Sequence, residues 1–246
     1  MSAALLALAA AQGLTVCADR PGKASQTCTV PAGHVQVEAG LVDWSVTTAD
    51  GKRNTALTLG QFGVKYGLTD RSHVEIDVTP WERVGGRSGF GDLALAYRQR
   101  LTAADAALQI AASPFVKIPT ARRPIGNRQL EGGILLPIQY AIPRSALTVA
   151  ITPELDWAAD GDGHGHHALA SNVVSLGWQA SSKLSLSAEL WGQWDWDPAR
   201  TGRQVSADVA AAYLTSGRVQ LDAGANFGLN RATPDAELYA GVSMLF

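Results

Sequence analysis

The stretch that decides the fold runs from Asp235 to Phe246 and reads Asp-Ala-Glu-Leu-Tyr-Ala-Gly-Val-Ser-Met-Leu-Phe. Apolar side chains occupy one set of alternate positions: Ala236, Leu238, Ala240, Val242, Met244 and Phe246. The other set holds Glu237, Gly241 and Ser243, with Tyr239 and Leu245 between them. A period of two is typical of a β-strand with one apolar face. Two structures fit this stretch alone: a half-buried strand of a soluble sandwich and a strand of a membrane β-barrel.

The aromatic residue at the end of the strand favours the barrel. A membrane barrel must pair its last strand with its first, because an open edge would leave backbone polar groups unpaired in lipid. A terminal Phe on an alternating strand resembles the signal by which bacterial outer-membrane barrels are recognised for insertion. We therefore expect the barrel-assembly machinery and outer-membrane lipid as partners.

Composition agrees with many short membrane strands. Hydrophobic residues make up 46% of the 246 residues and charged residues only 17%, below the usual share of about a quarter. No run of eighteen apolar residues is present, so the sequence predicts no transmembrane helix. The net charge of −2 argues against a nucleic-acid partner.

The N-terminal part divides into two predicted segments. Residues 1–11 resemble a partial or atypical signal peptide, since their apolar run lacks preceding positive residues; a short ordinary helix is the alternative. Residues 12–32 form a polar arm that contains Cys17 and Cys28. In an exported chain, such a closely spaced pair predicts a disulfide. Residues 33–246 form the predicted barrel.

Twelve segments of the barrel region have strand character: 34–46, 55–66, 73–80, 91–100, 107–118, 130–142, 147–157, 168–179, 184–195, 205–214, 219–229 and 236–246. Short connections alternate with longer ones, which include 47–54, 81–90 and 158–167. An even strand number with short turns at one rim and long loops at the other is typical of outer-membrane barrels. We expect a single antiparallel barrel, all-β, with long loops outside and the arm in the periplasm.

Aromatic residues lie near the strand ends, where two membrane-interface girdles are expected. The girdle candidates are Tyr66, Tyr97, Tyr140, Trp157, Trp178, Trp194, Tyr213 and Phe246. The alternative is the general enrichment of aromatic residues in strands.

Ionisable side chains alternate with the apolar ones and are predicted to line the lumen. The candidates are Glu38, Lys65, Glu75, Asp77, Asp92, Arg98, Arg100, Lys117, Glu131, Glu154, Glu189, Asp208, Asp222 and Glu237. A dry core would not tolerate so many unpaired charges, so we expect a wet lumen in which some carboxylates pair with the four basic candidates and the others are hydrated. The excess of acid predicts a negative potential and a cation-tolerant pore or binding channel. A plugged interior that only supports the wall is the alternative.

Other candidate sites are weaker. The loop 158–167 contains Asp160, Asp162, His164, His166 and His167, which are possible zinc ligands, but its glycines and spacing favour a solvated loop. His73 beside Glu75 suggests a hydrolase pair, although no G-x-S-x-G motif accompanies it. Arginines such as Arg87 and Arg200 on the long loops are suited to lipopolysaccharide phosphates, or are solvated. We predict no catalytic residue, no metal and no cofactor.

Several motifs resemble the transporter-like outer-membrane proteins of the meta-pathway phenol-degradation family. They are Cys-Ala-Asp-Arg-Pro at 17–21, Val-Pro-Ala-Gly-His-Val-Gln-Val-Glu at 30–38, Lys-Tyr-Gly-Leu-Thr-Asp-Arg at 65–71, Gly-Phe-Gly-Asp-Leu at 89–93 and Pro-Phe-Val-Lys-Ile-Pro at 114–119. The resemblance implies a Gram-negative outer-membrane barrel that passes aromatic or other hydrophobic small molecules, and it carries no catalytic residues.

From the residues and the resemblance together we expect a non-enzymatic outer-membrane channel or transporter for a small-molecule solute. A structural or surface-interaction barrel with a blocked lumen is the second hypothesis, and an outer-membrane hydrolase is the third. Conductance separates the first two hypotheses.

Overall fold

A computed structural model of the protein describes residues 14–49, 51–84, 86–123 and 125–246. The predicted signal segment and the first two residues of the arm lie outside the described residues. The strands are β1 (Val35–Ala49), β2 (Lys52–Thr69), β3 (Ser72–Val78), β4 (Trp81–Val84), β5 (Arg87–Gly89), β6 (Leu93–Arg100), β7 (Leu108–Ile118), β8 (Glu131–Leu135), β9 (Ile138–Ala141), β10 (Leu147–Ala159), β11 (His166–Gln179), β12 (Leu184–Asp195), β13 (Gly202–Ser216), β14 (Val219–Gly228) and β15 (Ala236–Leu245). Among the described residues, no helix is long and apolar enough to cross a membrane.

The last strand closes the sheet on the first. β15 pairs antiparallel with β1 from Gln36↔Leu245 to Val46↔Ala236, and β1 also pairs with β2. Closure pairs the long edges of β1 and β15 with each other, and lipid would not tolerate these edges open. The predicted antiparallel barrel of twelve wall strands is confirmed.

Three of the twelve wall strands are interrupted, which is why fifteen segments are found. β3 continues as β4 beyond Pro80, β5 leads into β6, and β8 continues as β9 beyond Pro137. Proline has no N–H to give to a neighbouring strand, so it breaks the hydrogen-bond ladder locally. β4 pairs with both β2 and β5. The predicted loop 81–90 is therefore wrong in part, since it contains a short hairpin.

The first hairpin is longer than its sequence pattern indicates. β1 and β2 stay paired up to Ala49↔Lys52, so the predicted loop 47–54 is wrong. The register of β1 against β15 shifts between Gly40 and Val42. A bulge adds one residue and changes which side chains face inward, and this accounts for the uneven alternation of β1.

The barrel presents its apolar side chains outward and its polar ones inward. Large apolar residues in the middle of the wall strands are exposed, among them Val174, Leu190, Val209, Leu221 and Leu238. Their neighbours one position away are buried and polar, such as Ser175, Glu189, Asp208 and Asp222. An apolar belt of this extent is typical of a surface in contact with lipid.

A charge placed at the middle of this belt should destabilise the barrel. Leu190, on β12, has 59% of its surface exposed, so Leu190→Arg should lower the free energy of unfolding from bilayers by about 2–4 kcal/mol. The matched change Leu229→Arg, in the connection after β14 with 57% exposure, should cost only about 0–1 kcal/mol near the interface. Reversible unfolding in liposomes measures both values. Equal costs at the two positions would contradict the assignment of the lipid belt.

Candidate functional site

The arm lies inside the barrel and contacts its wall on several sides. The Nη2 atom of Arg20 lies 2.9 Å from Asp222 Oδ1 on β14, and Nζ of Lys23 lies 3.1 Å from Asp208 Oδ2 on β13. On the other side, the Thr27 hydroxyl lies 2.8 Å from Oε1 of Gln109 on β7. The arm therefore lies across the lumen, and the prediction that the short-connection rim and the start of the arm face the periplasm stays a prediction.

A disulfide and a wall glutamine fix the start of the arm. Cys17 and Cys28 are joined, with their Cα atoms 5.9 Å apart, so the predicted disulfide is confirmed. The amide of Cys17 donates to Gln36 Oε1 at 2.8 Å, and Gln36 Nε2 donates to the Cys17 carbonyl at 2.7 Å. One buried side chain thus satisfies both backbone polar groups of this residue, as a buried irregular segment requires.

A cluster of charges joins the arm to the opposite wall. Lys65 on β2 is completely buried, and its ammonium group lies 2.5 Å from Asp19 Oδ2 and 3.5 Å from Glu75 Oε1. The ammonium group also contacts Glu38 directly. Arg98 on β6 donates to Asp19 Oδ1 at 2.8 Å. Buried charges are stable only when they are paired in this way.

This cluster contains the expected pairing of luminal acids with basic residues, but it also pairs Glu75, which was expected to be hydrated. Glu38 and Glu75 are ion-pair partners of a dehydrated lysine, and Asp19 belongs to the arm itself. The arm also brings Arg20 and Lys23 into the lumen, which reduces the excess of acid predicted from the strands alone. Local periodicity did not reveal these two cations, because they lie outside the alternating segments.

Asp19 is held in its charged form. Burial acts to raise the pKa of its carboxyl group, but the charges and hydrogen bonds of Arg98 and Lys65 outweigh burial and lower the pKa well below its ordinary value. A lowered pKa in the folded state contributes stability that is present above the ordinary pKa of aspartate and is lost under stronger acid. The anchor is therefore intact at neutral pH.

Two cavities lie beside the arm. The larger has a volume of about 320 Å³ and is lined by arm residues together with Thr148, Ser175 and Ser187 of the wall. The other, of about 260 Å³, is lined by Asp77, Phe115 and further wall residues. Among the described residues, Asp19 is the one that borders both cavities. The arm therefore divides the described part of the lumen at the charge cluster.

The predicted lumen residues fall into groups. Six are buried and belong to the arm-binding surface or its ion pairs: Glu38, Lys65, Arg98, Glu189, Asp208 and Asp222. A second group consists of three residues: the ammonium group of Lys117 lies 3.0 Å from Asp92 Oδ2 and also contacts Glu131. Glu75, Asp77, Glu154 and Glu237 are partly buried, and Arg100 donates to the Asp70 carbonyl at 2.7 Å. Their role in lining a conducting path stays a prediction.

The eight aromatic girdle candidates are exposed on the barrel: Tyr66, Tyr97, Tyr140, Trp157, Trp178, Trp194, Tyr213 and Phe246. Their exposure is compatible with contact to the membrane interface, and the girdle itself stays a prediction. Phe115, in contrast, points inward and lines the smaller cavity.

His73 is not arranged as a hydrolase base. It is completely buried, and its Nδ1 accepts a hydrogen bond from the amide of Val30 at 3.2 Å. Its Nε2 has no hydrogen-bond partner among the described residues. A serine hydrolase requires a hydroxyl within reach of the imidazole, and no such pair is formed here in the described part of the chain. The histidine instead holds the end of the arm.

Solved structures of outer-membrane barrels are similar to this fold. The COG4313 outer membrane channel from Pseudomonas putida F1 matches with a TM-score of 0.71 and 16% identity, covering 92% of this chain and 99% of that one. The translocator domain of the autotransporter NalP from Neisseria meningitidis matches with a TM-score of 0.50 and 14% identity, over 88% and 89% of the two chains. At these identities the likeness shows the fold, that of a bacterial outer-membrane barrel.

Sequence comparison identifies the family more directly. A comparison with curated proteins finds no significant match. A family model matches residues 18–246, nearly the whole of the described arm and barrel. The chain therefore belongs to the family described as "Putative MetA-pathway of phenol degradation".

Proposed function

We propose that the protein is a passive outer-membrane channel for small molecules in which the arm forms the constriction. The observation that carries this proposal is the pair of cavities separated by the arm at Asp19. A solute moves from one cavity to the other when the arm shifts locally or when space opens beside it. The ion pairs of Arg20, Lys23 and Asp19 hold the arm in place between such events.

A structural barrel with a permanently blocked lumen is the second candidate. The complete burial of Lys65 favours it, since displacement of the arm removes Asp19 and leaves a buried charge with fewer partners. The two candidates differ in one measurable property, because only the channel conducts when the arm is intact.

The lining of the smaller cavity defines the class of solute. Asp77 and Glu154 offer carboxylates, while Phe115 and Leu135 provide an apolar side. The family description refers to phenol degradation, and a small aromatic molecule with one polar group suits such a mixed lining. The carboxylates also attract small cations by their field. We therefore propose small aromatic or hydrophobic molecules and small cations as permeants.

The proposed membrane partners follow from exposed arginines near the long connections. Arg87 and Arg200 are exposed near the long connections, and guanidinium groups bind phosphates in two-point contacts. We propose that lipopolysaccharide phosphates meet these arginines and that the barrel-assembly machinery inserts the chain. The proposed protein is not an enzyme, and its action is diffusion through the lumen.

Weakening the arm anchor should raise conductance. Asp19→Asn removes the charge that pairs with Lys65 and Arg98. Hydrogen bonds to charged groups contribute about 1.5–3 kcal/mol each, so the population with a displaced arm should rise roughly tenfold or more. Single-channel recording in planar bilayers should show a larger conductance or longer open times.

The matched control for this variant is Asp105→Asn, which makes the same change at an exposed position in the connection between β6 and β7. It should leave the recordings unchanged. If Asp19→Asn and wild-type barrels are both folded and both silent, the blocked structural barrel is the better account.

Charge in the smaller cavity should control ion preference. Asp77 lines this cavity and has no ion pair among the described residues, so Asp77→Asn should reduce the preference for K⁺ over Cl⁻. The difference should be largest at low salt, because the Debye length is about 10 Å at 0.1 M and shortens at higher salt. Reversal potentials across a salt gradient measure the preference, again with Asp105→Asn as control. A wild-type channel that prefers Cl⁻ would contradict the proposal.

A further inference from the structure

Two long connections meet at a buried histidine. The connection between β10 and β11 supplies Asp160, and His167 follows it at the start of β11. Asp195 ends β12, and Asp197 is the second residue of the connection to β13. Only 7% of the His167 side chain is exposed. Its Nδ1 lies 2.8 Å from Asp160 Oδ1, and its Nε2 lies 2.8 Å from Asp195 Oδ1.

A neutral imidazole does not satisfy this arrangement. It carries one N–H, so it donates to one carboxylate and turns a lone pair toward the other. Nδ1 of His167 is hydrogen-bonded to Asp160, and Nε2 is buried without a hydrogen-bond partner. The ring therefore gives no hydrogen bond to Asp195, whose Oδ1 lies 2.8 Å from Nε2, and a neutral ring leaves the surrounding carboxylates without a counter-charge. The site therefore requires a positive charge.

Lysine and arginine do not provide this charge. Among the ion pairs of the described residues, Asp160 and Asp195 pair with His167 alone, and Asp197 pairs with no lysine or arginine. Three carboxylates and one imidazole thus share a small volume with an uncompensated negative charge. A proton on His167 or a cation bound from solution is the remaining source of compensation, and the Zn²⁺ titration below distinguishes the two.

The spacing of ligand atoms suits a metal ion. Three ligand atoms lie within 4.8 Å of one another: one carboxylate oxygen each of Asp160 and Asp197, and one ring nitrogen of His167. An ion at about 2.0–2.2 Å from imidazole nitrogen and carboxylate oxygen reaches all three with small side-chain rotations. A donor set with nitrogen and oxygen selects zinc-type transition ions over calcium or magnesium, which prefer oxygen alone.

The loops are already folded around this centre. The amide of Gly161 donates to Asp197 Oδ2 at 3.0 Å, which links the two connections. The amide of Asp160 donates to the carbonyl of Gly165, a residue with φ of +107° that favours glycine. Beside them, His166 stacks on Trp157 with the ring centroids 3.5 Å apart. The sequence-based interpretation of a solvated loop does not describe the link to Asp197, because this residue lies 36 positions from Gly161 in the next long connection.

We propose that Asp160, His167 and Asp197 bind one divalent transition-metal ion of the zinc type, with Asp195 as a fourth group. The ion joins two long connections at the rim of the barrel. This binding is independent of conduction through the lumen.

Isothermal titration of the purified full-length barrel in detergent, after treatment with EDTA, tests the proposal with Zn²⁺ as the probe. Wild type should bind one Zn²⁺ per chain, and its thermal midpoint should rise on binding. His167→Gln should weaken the affinity at least about tenfold, the effect expected when a ligand or its close support is lost. His164→Gln changes an exposed ring in the same connection and should leave the affinity unchanged.

A second variant keeps the test decisive if His167→Gln does not fold. Asp197→Asn, at the end of the same cluster, should also weaken Zn²⁺ binding, since it removes a charged ligand. Wild-type protein that binds no Zn²⁺ would overturn the proposal, because a proton then supplies the positive charge. Equal losses for His164→Gln and His167→Gln, or Ca²⁺ binding as tight as that of Zn²⁺, would overturn it as well.

Discussion

The ammonium group of Lys65 is the interaction on which the interior depends. It is completely buried, yet it contacts Asp19 of the arm and Glu38 and Glu75 of the wall. Such a charge is stable inside the barrel only while these partners stay close, so wall and arm stabilise each other. Removal of one partner would leave a buried charge uncompensated. The position of the arm follows from this constraint, as does the division of the lumen into two cavities.

One alternating pattern of apolar and polar residues determines both the outer surface of the wall and the inner face of the barrel. Lipid requires that every wall strand be paired, and the β1–β15 contact meets that requirement. The inner face then carries more polar groups than a dry core tolerates. The arm satisfies many of them: Arg20 pairs with Asp222, and Lys23 with Asp208. A polar arm is thus a means of filling a barrel whose lumen is too wide for wall side chains alone.

The sequence predicted the wall well because strand alternation is local. On β15, apolar residues such as Leu238 and Met244 alternate with polar ones such as Glu237 and Ser243. The apolar residues are the more exposed and the polar ones the more buried, with the same period of two. The disulfide was predictable for the same reason, since Cys17 and Cys28 are close in sequence. The place of the arm was not predictable, because Arg20 finds Asp222 across 202 positions. The contact of His167 with Asp195 likewise depends on how two connections meet, since Asp195 ends β12 and His167 begins β11. No local pattern encodes such pairs.

Limited trypsin digestion of the folded barrel tests the place of the arm most directly. Lys23 precedes Ala24, so this bond is a trypsin site, whereas Arg20 precedes Pro21 and resists cleavage. Mass spectrometry after reduction of the Cys17–Cys28 disulfide detects any cut within the arm. An arm bound in the lumen predicts that the bond after Lys23 survives while exposed sites at Arg200 and Arg231 are cut. Cleavage after Lys23 as fast as at those sites would contradict the account.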